Sequence, residues 1–258
     1  MKRAMLLLLA FLFCIGMVSC AETDEIPDVA YTTVDLPQLG KYGQRLYHTA
    51  TGKLTPGSTE DTVSVLAEEP LEDAINTQVY LLANQAGKTT TYPLGKWETV
   101  VLQNGTLSLF DIDKDGADEV FLWQEITGNG GTLTQVYKYV DEALVLWQDL
   151  AEIEVEIQGE FLEGQKLRLF NQPTGFNTVI DLEGFEEYAD ADGKINLTPD
   201  LQWFPIDSCS ASNDCVSCTR PMRHNGGGCA ILEIRFVYDA VQRRLVLDDI
   251  CLERTYYP

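Results

Sequence analysis

Short runs of alternating apolar and polar residues, each closed by turn chemistry after about ten residues, leave this chain little choice but antiparallel sheet. Ile153, Val155 and Ile157 alternate with Glu152, Glu154 and Glu156, and Leu107 and Leu109 flank Ser108. Leu232, Ile234 and Phe236 alternate with Glu233 and Arg235. Further strands are expected at 62–68, 77–84, 97–103, 119–126, 133–140, 143–148, 166–171, 176–182 and 243–252. Asn104-Gly105, Gly128–Gly131, Asp192-Gly193 and Asp239–Gln242 supply the turns between them. Beyond the first twenty residues no long amphipathic helix is legible, and only Glu68–Ile75 and Phe185–Ala189 read as short helical turns. The expected fold is all-β, with antiparallel sheets arranged as propeller-like blades or a sandwich. A transporter's solute-binding component is disfavoured, because such proteins alternate strands with helices.

The charge balance narrows the partners. The chain has 258 residues and carries a net charge of −22, which repels phosphate backbones and attracts cations, so nucleic acid is not an expected partner. His48 and His224 are the only histidines, too few for a multi-histidine metal centre. At the N-terminus, Lys2 and Arg3 precede an apolar run through Val18, shorter than the roughly 20 residues needed to span a bilayer. The run ends in Met17-Val-Ser19-Cys20 and an acidic stretch follows. This resembles a bacterial lipobox, with Met17 in place of the usual Leu, and it implies a diacylated Cys20 as the mature N-terminus. Residues 1–19 then form the signal peptide, 20–45 the lipidated N-terminus and tether, and 46–258 a single β-rich domain. That places the domain outside the cytoplasm, in a bacterial cell envelope, held at a membrane by lipid.

The sharpest chemical signal is Phe110-Asp111-Ile-Asp113-Lys-Asp115-Gly116-Ala117-Asp118-Glu119-Val120. Carboxylates at positions 1, 3 and 5, a glycine at 6, the Ala117 carbonyl at 7 and Glu119 at 9 suit a hard cation that takes six to eight oxygens. The expected ligands within 111–119 are Asp111, Asp113, Asp115, Ala117 and Glu119, and the expected ion is Ca²⁺. An EF-hand would need Glu at position 12 between helices, and Leu122 stands there inside an apolar run. The segment instead resembles the FG-GAP/VCBS-type calcium-loop repeat, which implies propeller blades and a bacterial lipoprotein without an established activity to carry over. A degenerate copy lies 58 residues upstream, where Asp61 matches Glu119 and Lys53 and Thr55 replace the first two aspartates. That copy is expected to keep the turn without the ion. Asp190, Asp192 and Gly193 read as an exposed turn lacking a third ligand.

Cys209, Cys215, Cys218, Cys229 and Cys251 all lie in the last fifty residues, and export puts them where disulfides persist. An odd count suggests two bridges and one free thiol, with connectivity open. Cys215, Cys218, His224 and Cys229 also come within one residue of a zinc-knuckle spacing. Residues 207–228, rich in Ser, Asn, Asp and Gly, read as a disulfide-pinned loop. Trp97, Trp123, Trp147 and Trp203 read mainly as core, and no nucleophile elbow, His-paired nucleophile or phosphate loop is present. The expected function is a structural or binding module for a protein or glycan ligand. The alternative is a secreted hydrolase or carbohydrate-binding protein with an acidic, aromatic cleft.

Overall fold

The computed structural model describes residues 44–58, 60–68, 75–128, 131–163, 166–181, 201–203, 206, 208–224 and 227–255. The expected signal peptide, Cys20, most of the expected tether, the expected turn at 185–189, most of Glu68–Ile75 and the Asp190–Gly193 segment lie outside the described residues. Four antiparallel sheets make up the fold. The first contains β1 (Gln44–Gly52), β2 (Asp61–Glu68), β3 (Asn76–Gln85) and β4 (Lys88–Glu98), side by side in chain order. The second repeats that order with β5 (Gly105–Phe110), β6 (Glu119–Thr127), β7 (Gly131–Val140) and β8 (Ala143–Asp149). In the third, β10 (Lys166–Asn171) lies between β9 (Gln158–Leu162) and β11 (Phe176–Asp181). The fourth runs β12 (Leu201–Trp203), β14 (Val216–His224), β15 (Gly227–Asp239), β16 (Arg244–Thr255), with β13 (Ser208–Ala211) also paired to β14. Sequential antiparallel strands within each sheet give the blade-like, all-β architecture that the turn spacing calls for.

Local chemistry explains the hairpins. Ala86 and Gly87 have φ of 49° and 81° between β3 and β4, and Asp141 and Glu142 have 50° and 64° between β7 and β8. Such consecutive left-handed residues match the twist of the flanking strands. Between β15 and β16, Asp239 accepts from the amides of Val241 (2.7 Å) and Gln242 (3.1 Å), an Asx turn.

Three buried clusters bind the sheets. Val63, Val65, Val79, Leu81 and Trp97 of the first sheet pack with Val120, Leu122 and Tyr137 of the second. Phe110, Phe121 and Val136 pack with Cys209, Val216, Cys218, Ile234 and Phe236 of the fourth. Leu167, Leu169 and Ile180 of the third pack with Met222, Ala230, Leu232 and Ile250. Side chains in β6 alternate between the first two clusters, so this strand is apolar at every position from Val120 to Leu122.

Three expected segments differ from the sequence reading, and β9 and most of β4 stand where that reading places no strand. Residues 153–157 do alternate in burial but join no ladder, because the extended chain here crosses between sheets and lays Ile153 and Val155 on the second cluster. Of residues 97–103 only Trp97 and Glu98 are strand. β4 ends at Glu98, and Thr99–Val101 forms a 3₁₀ turn held by Gln124, whose Nε2 donates to the carbonyls of Val101 (2.8 Å) and Asn104 (2.7 Å). The expected loop at 207–228 is pinned by the Cys209–Cys218 disulfide, but among its described residues 208–211 and 216–224 are strands, with Cys209, Val216, Cys218 and Met222 buried.

Burial disfavours the imidazolium of His48 on β1 and lowers its pKa from the ordinary 6.5, with contacts to the Leu102 backbone and Gln124 opposing. A lowered histidine pKa means that the unfolded chain binds more protons just below 6.5. Stability should therefore fall as pH drops through 6.5, and His48→Gln should flatten that limb of a urea-midpoint profile.

Candidate metal centre

The acidic loop joins β5 to β6, and its shape follows from its own side chains. Asp111 Oδ2 accepts from Gly116 N (3.1 Å), Asp113 Oδ1 from Asp115 N (3.2 Å), and Asp115 Oδ1 from Ala117 N (2.8 Å). Gly116 sits at φ 90°, a conformation that a Cβ resists, and Lys114 at 63°. Asp111, Asp113 and Asp115 each turn one oxygen inward, and the three oxygens lie within 4.8 Å of one another. Asp111 Oδ1 is buried with no hydrogen-bond partner. Close-set carboxylates of this kind call for a cation, and these three could hold a metal ion.

Glu119 is placed differently from the aspartates. At 2% exposure it is buried, and its Oε2 accepts from the Ile112 amide at 2.9 Å. In the upstream copy Asp61, 3% exposed, accepts from the Leu54 amide at the same distance and the same separation of seven residues. The two loops thus share one clamp, a buried carboxylate that closes the turn onto the strand after it. The copies also hold each other. Lys53 N donates to Asp118 Oδ2 and Asp118 N to the Lys53 carbonyl, both at 2.6 Å. A Cβ on Gly52 would come within 2.4 Å of that Asp118 oxygen. On the far side, Lys114 Nζ donates to the Asn213 carbonyl (2.6 Å), and Asp111 N donates to Asn213 Oδ1 (3.1 Å).

Lys138, on β7, enters the centre without having been singled out from the sequence. Its ammonium bonds Asp113, stands 2.9 Å from Glu119 Oε1 and lies 3.8 Å from Asp115. It also lies 4.6 Å from the Trp147 ring centre, a cation–π contact. Burial opposes its charge, but the bonds to Asp113 and Glu119 prevail and hold its pKa above the usual value. Burial likewise raises the pKa of Glu119, against the pull of Lys138 and the Ile112 amide. The signal was present in the sequence, since Lys138 is the only basic residue between Lys114 and Lys166.

Among the described residues the cysteines form no second centre. Cys209 and Cys218 are direct cross-strand partners on β13 and β14 and form a disulfide. Cys218 therefore leaves the zinc-knuckle set, and Cys215 and Cys251 are free thiols. The Cys229 side chain lies outside the described residues. Burial and the neighbouring Glu233 raise the Cys251 pKa, so its thiol is not primed as a nucleophile.

No protein-family model matches the chain, and no curated protein or solved structure is significantly similar to it.

Proposed function

We propose that the protein is a lipid-anchored, extracytoplasmic β-module of the FG-GAP/VCBS type whose acidic loop takes Ca²⁺ and serves a structural or binding role. The observation that carries this reading is the convergence of Asp111, Asp113 and Asp115 in a loop whose upstream copy shares its clamp but not its carboxylates. The three aspartates supply side-chain oxygens and Ala117 its carbonyl. Glu119 joins them as a ligand once its Oε1 is freed from Lys138. The ion neutralises the carboxylates and locks the β5–β6 turn; no covalent chemistry is required of it.

The hydrolase or carbohydrate-binding alternative needs a cleft with bare aromatic platforms. Trp147 does line a groove, but its indole already carries the Lys138 ammonium and packs 6.0 Å from Tyr238. The structural or binding role is therefore preferred.

An ion that binds only the folded loop stabilises it by about 2.7 kcal/mol at a hundredfold excess over Kd. With Kd in the range of about 10⁻⁴–10⁻³ M for extracellular modules, millimolar Ca²⁺ should raise the melting temperature, and Mg²⁺ should do so poorly. Asp113→Ala should abolish the rise. Asp61→Ala should lower the baseline, by about 1–3 kcal/mol for an unsatisfied buried amide, yet leave the rise in place. Identical melting curves in EDTA and in calcium would defeat the reading. Because Ca²⁺ must displace a resident ammonium, Lys138→Met should tighten calcium binding by about tenfold or more in calorimetry, as removal of a like charge predicts. Cys20→Ser should abolish fatty-acid labelling and membrane retention, whereas an unlabelled wild type would exclude the lipid anchor.

A further inference from the structure

A groove of about 680 Å³ separates β8 and the 3₁₀ turn after it from the start of β16. A second hollow of about 390 Å³ shares Glu154 and Leu247 with it and carries the groove on to Asn171 and Pro173. Backbone without a ladder partner lines both walls. Among the described residues β16 is the terminal strand of its sheet, paired only with β15. Opposite it, residues 153–157, extended at Ile153, belong to no sheet among the described residues.

One contact shows what fits between them. Gln148 reaches across the groove, donates from Nε2 to the Leu245 carbonyl (2.8 Å) and accepts from the Leu245 amide (2.8 Å). Its primary amide thus gives β16 the donor–acceptor pair of a peptide unit, so this edge accepts strand pairing at Leu245. The register Leu245↔Tyr238, Val246↔Val237, Leu247↔Phe236 is regular. Alternation then turns the amide and carbonyl of Leu247 outward as well, toward the groove, just before the register shift at Asp248 ends the regular run. The wall is acidic: Asp149, Glu152, Glu154 and Glu156 line the two hollows, against Arg244 at one end.

We propose that this groove is a docking site for an extended peptide segment with basic side chains, contributed by a partner protein and added as a strand to the free edge of β16. Backbone bonds to Leu247 supply the attachment, and the glutamates select the charge. A second copy of this chain is a poor occupant, because its net charge of −22 opposes an acidic wall. The proposal does not rest on the calcium loop, which meets this groove only through the Lys138 ammonium on Trp147.

The test uses a fluorescein-labelled, capped eight-residue peptide alternating Lys and Val, titrated with the protein and read by anisotropy. Two control peptides accompany it: one N-methylated at alternate residues to remove strand donors, and one with Glu replacing Lys. The Lys–Val peptide should bind, the N-methylated peptide should bind at least about tenfold more weakly, and the Glu–Val peptide should not bind. Glu154→Lys should weaken binding by about tenfold, whereas the distant Glu60→Lys, with the same change in net charge, should leave it within about twofold. Glu152→Lys serves as the second variant and should behave like Glu154→Lys. Equal binding of the N-methylated peptide would overturn strand addition. Equal effects of Glu154→Lys and Glu60→Lys would overturn the location. A groove that ignores the Lys–Val peptide while a soluble oligosaccharide shifts Trp147 emission would overturn the choice of partner.

Discussion

Everything near the acidic loop depends on β6 having no wet face. Val120 and Leu122 belong to the cluster shared with the first sheet, and Phe121 to the cluster shared with the fourth. Each such side chain contributes about 1.5–3 kcal/mol when fully buried. Two opposed cores thus fix the strand in both directions, and Glu119 at its head is carried into the interior. From there it can reach the Ile112 amide and shut the turn. A strand with one solvated face would leave the same glutamate free to find water instead.

The electrostatics follow from that placement. Four acidic groups crowd one end of the second sheet, and the chain brings its own ammonium, Lys138, to meet them. Asp61 shows that a carboxylate in the ninth position closes the turn whether or not aspartates precede it. Closure of the turn onto β6 therefore does not depend on the three aspartates. It rests on a buried carboxylate and a buried residue's amide, whereas the aspartates shape the outer part of the loop and could hold an ion there.

The sheets and the repeat were readable because they follow from period and spacing. Strands such as β3 and β10 bury every second residue or nearly so, and the 58-residue offset that pairs Asp61 with Glu119 reappears as one shared hydrogen bond. The misreadings have physical causes. In 153–157 the alternation reports a buried face, which an extended crossing segment has as much as a paired strand does. In 208–224 the inward residues include cysteines, which a count of conventional apolar residues passes over. Much of β4 is the polar run Lys88-Thr-Thr-Thr91, whose pairing with β3 is imposed by the hairpin at Ala86-Gly87 rather than by its own pattern. Lys138 lies outside the contiguous acidic motif and reaches it only because β7 pairs with β6, and sheet neighbours are not sequence neighbours.

The reciprocal bonds between Lys53 and Asp118 join backbones 65 positions apart. Local turn formation cannot make such a contact, since the intervening chain must first be ordered. When residues emerge N-terminus first, the first sheet can close its hairpins while the seat for Asp118 still faces solvent. The finished acidic loop then belongs to the late steps of folding, after two sheets have met. A protease that distinguishes loose from finished chains would find residues 52–61 and 110–119 vulnerable together and protected together.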